Sequence, residues 1–436
     1  MGNNINSESN PKVQNQGELE SSGTLMSKSG PQAGENLGNK VSPVIELYSL
    51  GEFHLKQGNY PEALECIKQG IELAEKMHGS GDLKVGEGYI RLGIVGIYEN
   101  QNEAAQESIK KGLDIISAKV GKHPDLAEAY QKIGSAYYQC DRLDEAIKAY
   151  NNGLEIITAT LGTGHPRTAK FYIYIAEVYG EKGLNDEAIH YYKKGLKLAS
   201  DLPDDETAKI YDFIASRYLE KDCFAEASYY YDKEMELKIK KLGRTHPSIA
   251  AFADLVAMSF FTREATFYSI VYYRKELDVL TALPGKDIDI AEVYSKIGHA
   301  YKLKQMYKDA IGCYLKEARI RQNRAPAERN PLMAVYKNLG SSFFSLKLYD
   351  QAIEYHLKRE DLLIPMKNHF EAAEVYLDIG DAYLAKGIYE KAIEYYNRAM
   401  TKISTIGGQD SFEMSMVYDK LGTAQLVKGN FEIGRA

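Results

Sequence analysis

From about Val41 onward, apolar residues recur at i, i+3, i+4 and i+7 in amphipathic segments of roughly 14 residues, separated by short polar stretches. This period predicts helices and no strand. The segments also repeat one another. "AEVYSKIGHAYKLKQMYKDAIGCY" at Ala291–Tyr314 returns as "AEVYLDIGDAYLAKGIYEKAIEYY" at Ala373–Tyr396, 82 residues on, and "AEAYQKIGSAYYQCDRLDEAIKAY" at Ala127–Tyr150 precedes the first by 164. Both intervals are multiples of a unit near 41 residues.

Each unit can be anchored on a small residue that follows a large aliphatic: Gly51, Gly93, Gly134, Ala176, Ala215, Ala257, Gly298, Gly340, Gly380 and Gly422, in steps of 39 to 42 residues. Twelve residues after most anchors comes a second small residue: Ala63, Ala105, Ala146, Ala188, Ala227, Ala310, Ala352 and Ala392. Two helices cross closely only where the side chains at the crossing are small, so the pairing predicts a helical hairpin per unit. An aromatic four residues before the anchor (Tyr89, Tyr130, Tyr172, Tyr211, Tyr294, Tyr336, Tyr376, Tyr418) is expected between the paired helices. Tyr150, Tyr192, Tyr231, Tyr314 and Tyr396, sixteen after the anchor, are expected to face the next unit. These tyrosines have structural roles.

The spacing aromatic-x2-L-G-x2-Y followed by A-x3-Y resembles the tetratricopeptide repeat, over about nine and a half units. The long period and the junctions "KVGKHPDLA", "TLGTGHPRTA" and "KLGRTHPSIA" resemble the kinesin light chain type, through His123-Pro124, His165-Pro166 and His246-Pro247. Proline fits the first turn of a helix, where its missing N–H costs nothing. The resemblance implies an all-α fold: a right-handed α-solenoid of stacked antiparallel helix pairs whose concave groove is lined by the first helix of each unit. The chain departs from the kinesin light chain pattern twice. Only Asn338 stands where that family carries paired groove asparagines, and residues 1–40 contain no heptad region. The clamp by which some tetratricopeptide domains hold a chaperone's C-terminal carboxylate is not reproduced either.

Residues 1–40 are rich in Asn, Ser, Gly, Gln and Glu, with few large apolar residues, and read as a disordered tail before an array over 41–436. The array should comprise nineteen to twenty helices, as nine complete units and a truncated tenth. The sixth unit is expected to be the least regular, because Ala253 replaces the aromatic and Ser269 the second small residue. The tenth breaks off at "GNFEIGRA", where its second helix should begin; this suggests a fragment, or an end covered by a partner or a second copy.

The net charge of −7 and the lack of a basic block exclude the electrostatic footprint of a nucleic-acid binder. Four scattered cysteines form no CxxC pair and read as reduced thiols of a cytoplasmic protein. No membrane span or signal peptide is visible. Gly2 in "MGNNINS" offers a myristoylation site, but Asn6 stands where Ser or Thr is wanted, so membrane contact is expected only if Gly2 is acylated. No phosphate-cradling, dinucleotide, zinc-protease or nucleophile-elbow motif occurs, and the repeats leave no room for a catalytic domain. The expectation is no enzyme, no catalytic residue, no metal and no cofactor. The three junction histidines read as loop residues, since successive hairpins lie too far apart to share one ion.

Groove-facing positions fall three before, one after and four after each anchor. In the seventh and eighth units they carry Ser295, His299, Lys302, Lys337, Ser341 and Phe344, with Lys296 and Asn338 beside them. This locally basic set marks a candidate site for an acidic peptide, with Phe344 as apolar anchor. The leading function is therefore a scaffold or adaptor that holds a partner's peptide or helix in its groove. The alternative is a sensor whose superhelix changes pitch on binding a signalling peptide or small ligand.

Overall fold

In the computed structural model, the described residues are 42–198, 202–324, 327–363, 368–405 and 412–433. They form nineteen α-helices and no strand. The first five units pair α1 (Pro43–Lys56) with α2 (Tyr60–His78), α3 (Leu83–Tyr98) with α4 (Asn102–Val120), α5 (Pro124–Gln139) with α6 (Leu143–Leu161), α7 (Pro166–Glu181) with α8 (Asn185–Lys197), and α9 (Asp204–Glu220) with α10 (Phe224–Leu242). The next four pair α11 (Pro247–Thr262) with α12 (Thr266–Thr281), α13 (Asp287–Leu303) with α14 (Tyr307–Gln322), α15 (Arg329–Ser345) with α16 (Tyr349–Leu363), and α17 (His369–Lys386) with α18 (Tyr389–Thr405). The last helix, α19 (Phe412–Ile433), packs on α18. Helices touch their hairpin partner and the adjoining unit, which is the contact order of a solenoid. The tail and Gly2 lie outside the described residues.

The hairpin turn repeats as regularly as the anchor. Seven residues after each of the first nine anchors one residue takes a left-handed conformation: Gly58, Asn100, Asp141, Gly183, Asp222, Glu264, Gln305, Lys347 and Gly387. The N–H that follows donates back into the last turn of the first helix, as in Gln101 to the Gly96 carbonyl at 2.8 Å and Ile388 to the Tyr383 carbonyl at 2.9 Å. This closes the helix end with its carbonyls satisfied. Most units accept the strain of a side-chain-bearing residue there.

The junction histidines are helix caps. The Nδ1 of His123, His165 and His246 accepts the N–H of Asp125, Arg167 and Ser248 at 3.4, 3.1 and 3.2 Å, with proline next in the chain opening the helix.

Between paired helices the small anchor meets the side chain sixteen residues on. A Cβ added at Gly134, Gly298 or Gly380 would stand 2.4–2.6 Å from Tyr150, Tyr314 or Tyr396. The same rings reach the next unit, as expected: Tyr150 stacks on Tyr174 at 5.3 Å and Tyr192 on Phe213 at 5.5 Å. The aromatic before the anchor lies between the helices of its own pair, Tyr172 against Tyr191 and Tyr376 against Tyr395, both at 6.1 Å. Tyr418 differs, being exposed.

The irregularity expected of the sixth unit is absent from its backbone. Both α11 and α12 are unbroken over 16 residues, and the fully buried Ser269 returns its hydroxyl to the Thr266 carbonyl at 2.9 Å. Phe260, three residues after the anchor Ala257 as in the other units that carry an aromatic there, stacks on Tyr268 and Tyr272 at 5.3 and 5.6 Å, and Ala253 itself is fully buried. At the far end no second helix starts at Gly429; α19 runs through it to Ile433.

Candidate functional site on the inner helices of units six to nine

The first helices of successive units lie side by side, so side chains one unit apart in sequence meet across them. Of the candidate residues, the structure brings Lys302, Asn338 and Ser341 together. The half-buried Lys302 ammonium of α13 donates to Asn338 Oδ1 at 3.2 Å and to Ser341 Oγ at 2.8 Å, both on α15. No carboxylate pairs with it among the described residues. Burial and the neighbouring Lys337 lower its pKa, against the attraction of Asp378.

The other two lysines are neutralised. Lys296 turns back to Asp254 of α11 at 2.5 Å, and Lys337 pairs with Glu374 of α17. The set is therefore less basic than its residue types suggest. His299 is exposed and stands edge-on to Tyr314 at 5.8 Å. Phe344 is 38 % exposed and touches the Tyr349 ring edge-on at 5.5 Å, so much of it faces solvent.

Behind these lies a buried group that sequence reasoning missed. Arg359 of α16, 3 % exposed, donates to Asp378 Oδ2 at 3.0 Å and also to Glu374. Next to it, His356 occupies the register held by tyrosine in several other units. Burial and Arg359 push its pKa down to about 4, so it is neutral at ordinary pH. Burial pushes the Asp378 carboxyl up to about 6 although Arg359 and Lys337 pull the other way. The belt continues to α19, where Lys420 pairs with Asp381 at 2.6 Å. The signal in the sequence was a pair of departures from the unit pattern, His where several units carry Tyr and Arg where the others carry Gly, Glu or Ala.

Models of the tetratricopeptide repeat match residues 47–82, 125–201 and 331–402. These segments of the chain are tetratricopeptide repeats. Its similar solved structures include nearly identical kinesin light chain TPR-like repeats of Podosopora anserina (18% identity, 46% of this chain and 98% of that one, TM-score 0.37). Apo RapI is also similar (14%, 84% and 99%, TM-score 0.40), as is a signal transduction ATPase with a tetratricopeptide repeat sensor from Pyrococcus horikoshii (18%, 79% and 50%, TM-score 0.39). None of these likenesses bears on what the chain binds. Among curated proteins, none is similar by sequence. Within this tetratricopeptide array, no helix among the described residues is long and apolar enough to cross a membrane, and no group of three potential metal ligands occurs.

Proposed function

We propose that this tetratricopeptide array is a non-enzymatic scaffold of the cytoplasm that holds an acidic peptide segment of a protein partner against the inner helices of units seven and eight. The observation that carries the reading is Lys302, a half-buried ammonium that among the described residues is bonded to the neutral Asn338 and Ser341 and to no carboxylate. An ammonium held this way gains from a carboxylate, since an opposite charge adds Coulomb attraction that the neutral amide and hydroxyl cannot supply. Asn338 and Ser341 hold the lysine in place, and Phe344 offers an apolar surface on the same helix face. Lys337 contributes less, because an incoming carboxylate must compete with Glu374.

A peptide-display selection on the full chain tests this. Selected sequences should be enriched in Asp and Glu, and their affinity should fall as salt shortens the screening length from about 10 Å at 0.1 M to about 3 Å at 1 M. Lys302→Gln should weaken them at least about tenfold, because the charge-assisted bond is lost. Lys302→Gln is preferable to reversing Lys302 and Lys337 together, since Glu at 337 would face Glu374 and disturb the Arg359 network. Selected peptides that bind Lys302→Gln as tightly as wild type would place the site elsewhere.

A further inference from the structure

Nineteen residues after each anchor stand Gly70, Gly112, Gly153 and Gly195 in units one to four, then Glu234, Glu276 and Glu317 in units five to seven, then Arg359 and Ala399. In the early units this glycine permits direct contact: a Cβ at Gly70 would lie 2.5 Å from the Tyr48 ring, and one at Gly153 2.4 Å from Phe171. In units five to seven the same place holds a buried carboxylate, which needs a cation or a proton.

Two of the three have a cation built in, four residues on. Glu234 Oε1 pairs with Lys238 at 3.2 Å, and Glu317 Oε1 accepts from Arg321 Nε at 2.9 Å. In unit six that place is taken by Leu280. Glu276 is 7 % exposed, its Oε2 is buried without a hydrogen-bond partner, and it lines a cleft of 280 Å³ between α11, α12 and α13.

The charges around this cleft do not balance. Four carboxylates (Asp254, Glu276, Asp289 and Glu292) face two ammonium groups, Lys286 and Lys296. Lys296 attracts Glu276 but is bonded to Asp254 at 2.5 Å, and Lys286 pairs with Asp289 at 2.8 Å. Burial pushes the Glu276 carboxyl up to about 7, so at neutral pH it is poised to exchange its proton for a cation.

We propose that this cleft is a binding site for an arginine side chain of a partner peptide, whose guanidinium takes beside Glu276 the place that Arg321 holds beside Glu317. Arginine suits it better than lysine: a planar fork of donors can serve Glu276 and a second carboxylate at once, and a guanidinium loses less hydration on entering a half-closed cleft. The site lies toward the start of α13, whereas Lys302 stands near its end, so the two readings are independent.

The probe is N-acetyl-arginine methylamide, titrated calorimetrically into the full chain, with the neutral citrulline analogue as comparison. Saturable binding is expected to wild type and to Lys302→Gln. It should be at least about tenfold weaker for citrulline and for the isosteric Glu276→Gln, which lose the charge-assisted bonds. Leu280→Arg should fill the cleft from within and abolish binding. No saturation with wild type, or equal affinity for Glu276→Gln or citrulline, overturns the proposal.

Discussion

Gly340 lies so close to His356 that a Cβ built on the glycine would stand 2.4 Å from the imidazole Nε2. The ring is 3 % exposed and cannot swing clear. Gly340→Ala should therefore destabilise the array by about 1–3 kcal/mol through overpacking, partly offset by alanine's better helix propensity. Gly312, on α14, has open space around it, and Gly312→Ala should stabilise by up to about 1 kcal/mol. Urea unfolding midpoints of the two variants should move in opposite directions.

The hairpin turns give a second pair of opposite shifts. Lys347 carries a side chain at φ 63, where L residues lose about 1–2 kcal/mol against the right-handed form, and Gly387 occupies the equivalent place at φ 83. Lys347→Gly should raise the thermal midpoint, and Gly387→Ala should lower it. Equal shifts in both would mean that the turn does not govern hairpin stability.

The histidine caps predict a loss with a rescue. His165→Ala removes the acceptor for the Arg167 N–H and should cost about 0.5–2 kcal/mol, whereas His165→Asn keeps an acceptor and should recover most of it. Amide hydrogen exchange in the first turn of α7 should report the same order.

Glu276 makes stability depend on pH in a direction opposite to that of a carboxylate whose pKa is lowered by an ion pair. Its carboxyl is raised from 4.5 to about 7 by burial, with Lys296 of α13 pulling down and Asp254 of α11 and Asp289 and Glu292 of α13 pushing up. Between those two values the folded chain holds a proton that the unfolded chain has released. Stability from this group is thus fully present below the unfolded value and is lost as pH rises to the folded one. Glu276→Gln should remove that part of the slope and be more stable than wild type at neutral pH. The measurement is the difference in thermal midpoint between the two proteins across the window; a constant difference would mean that Glu276 does not titrate there.

The repeat itself was legible in the sequence because its causes are local. Helical periodicity, the small residues at the crossing and the ring sixteen residues after the anchor all act within one hairpin, so each is written at a fixed spacing. The left-handed turn residue was less visible, since Asn100, Asp141, Asp222, Glu264, Gln305 and Lys347 share a conformation and not a side chain.

The candidate site was legible by residue type and not by charge state. Lys296, Lys302 and Lys337 look alike in the sequence, yet Asp254 and Glu374 neutralise two of them and leave the third on neutral groups. Those partners lie 36 to 42 residues away on adjoining helices, so only the stacking of units decides which charge meets which. The same holds for Glu276: its type is plain in the sequence, but that its neighbours leave it buried without a bonded cation is a property of three helices packed together.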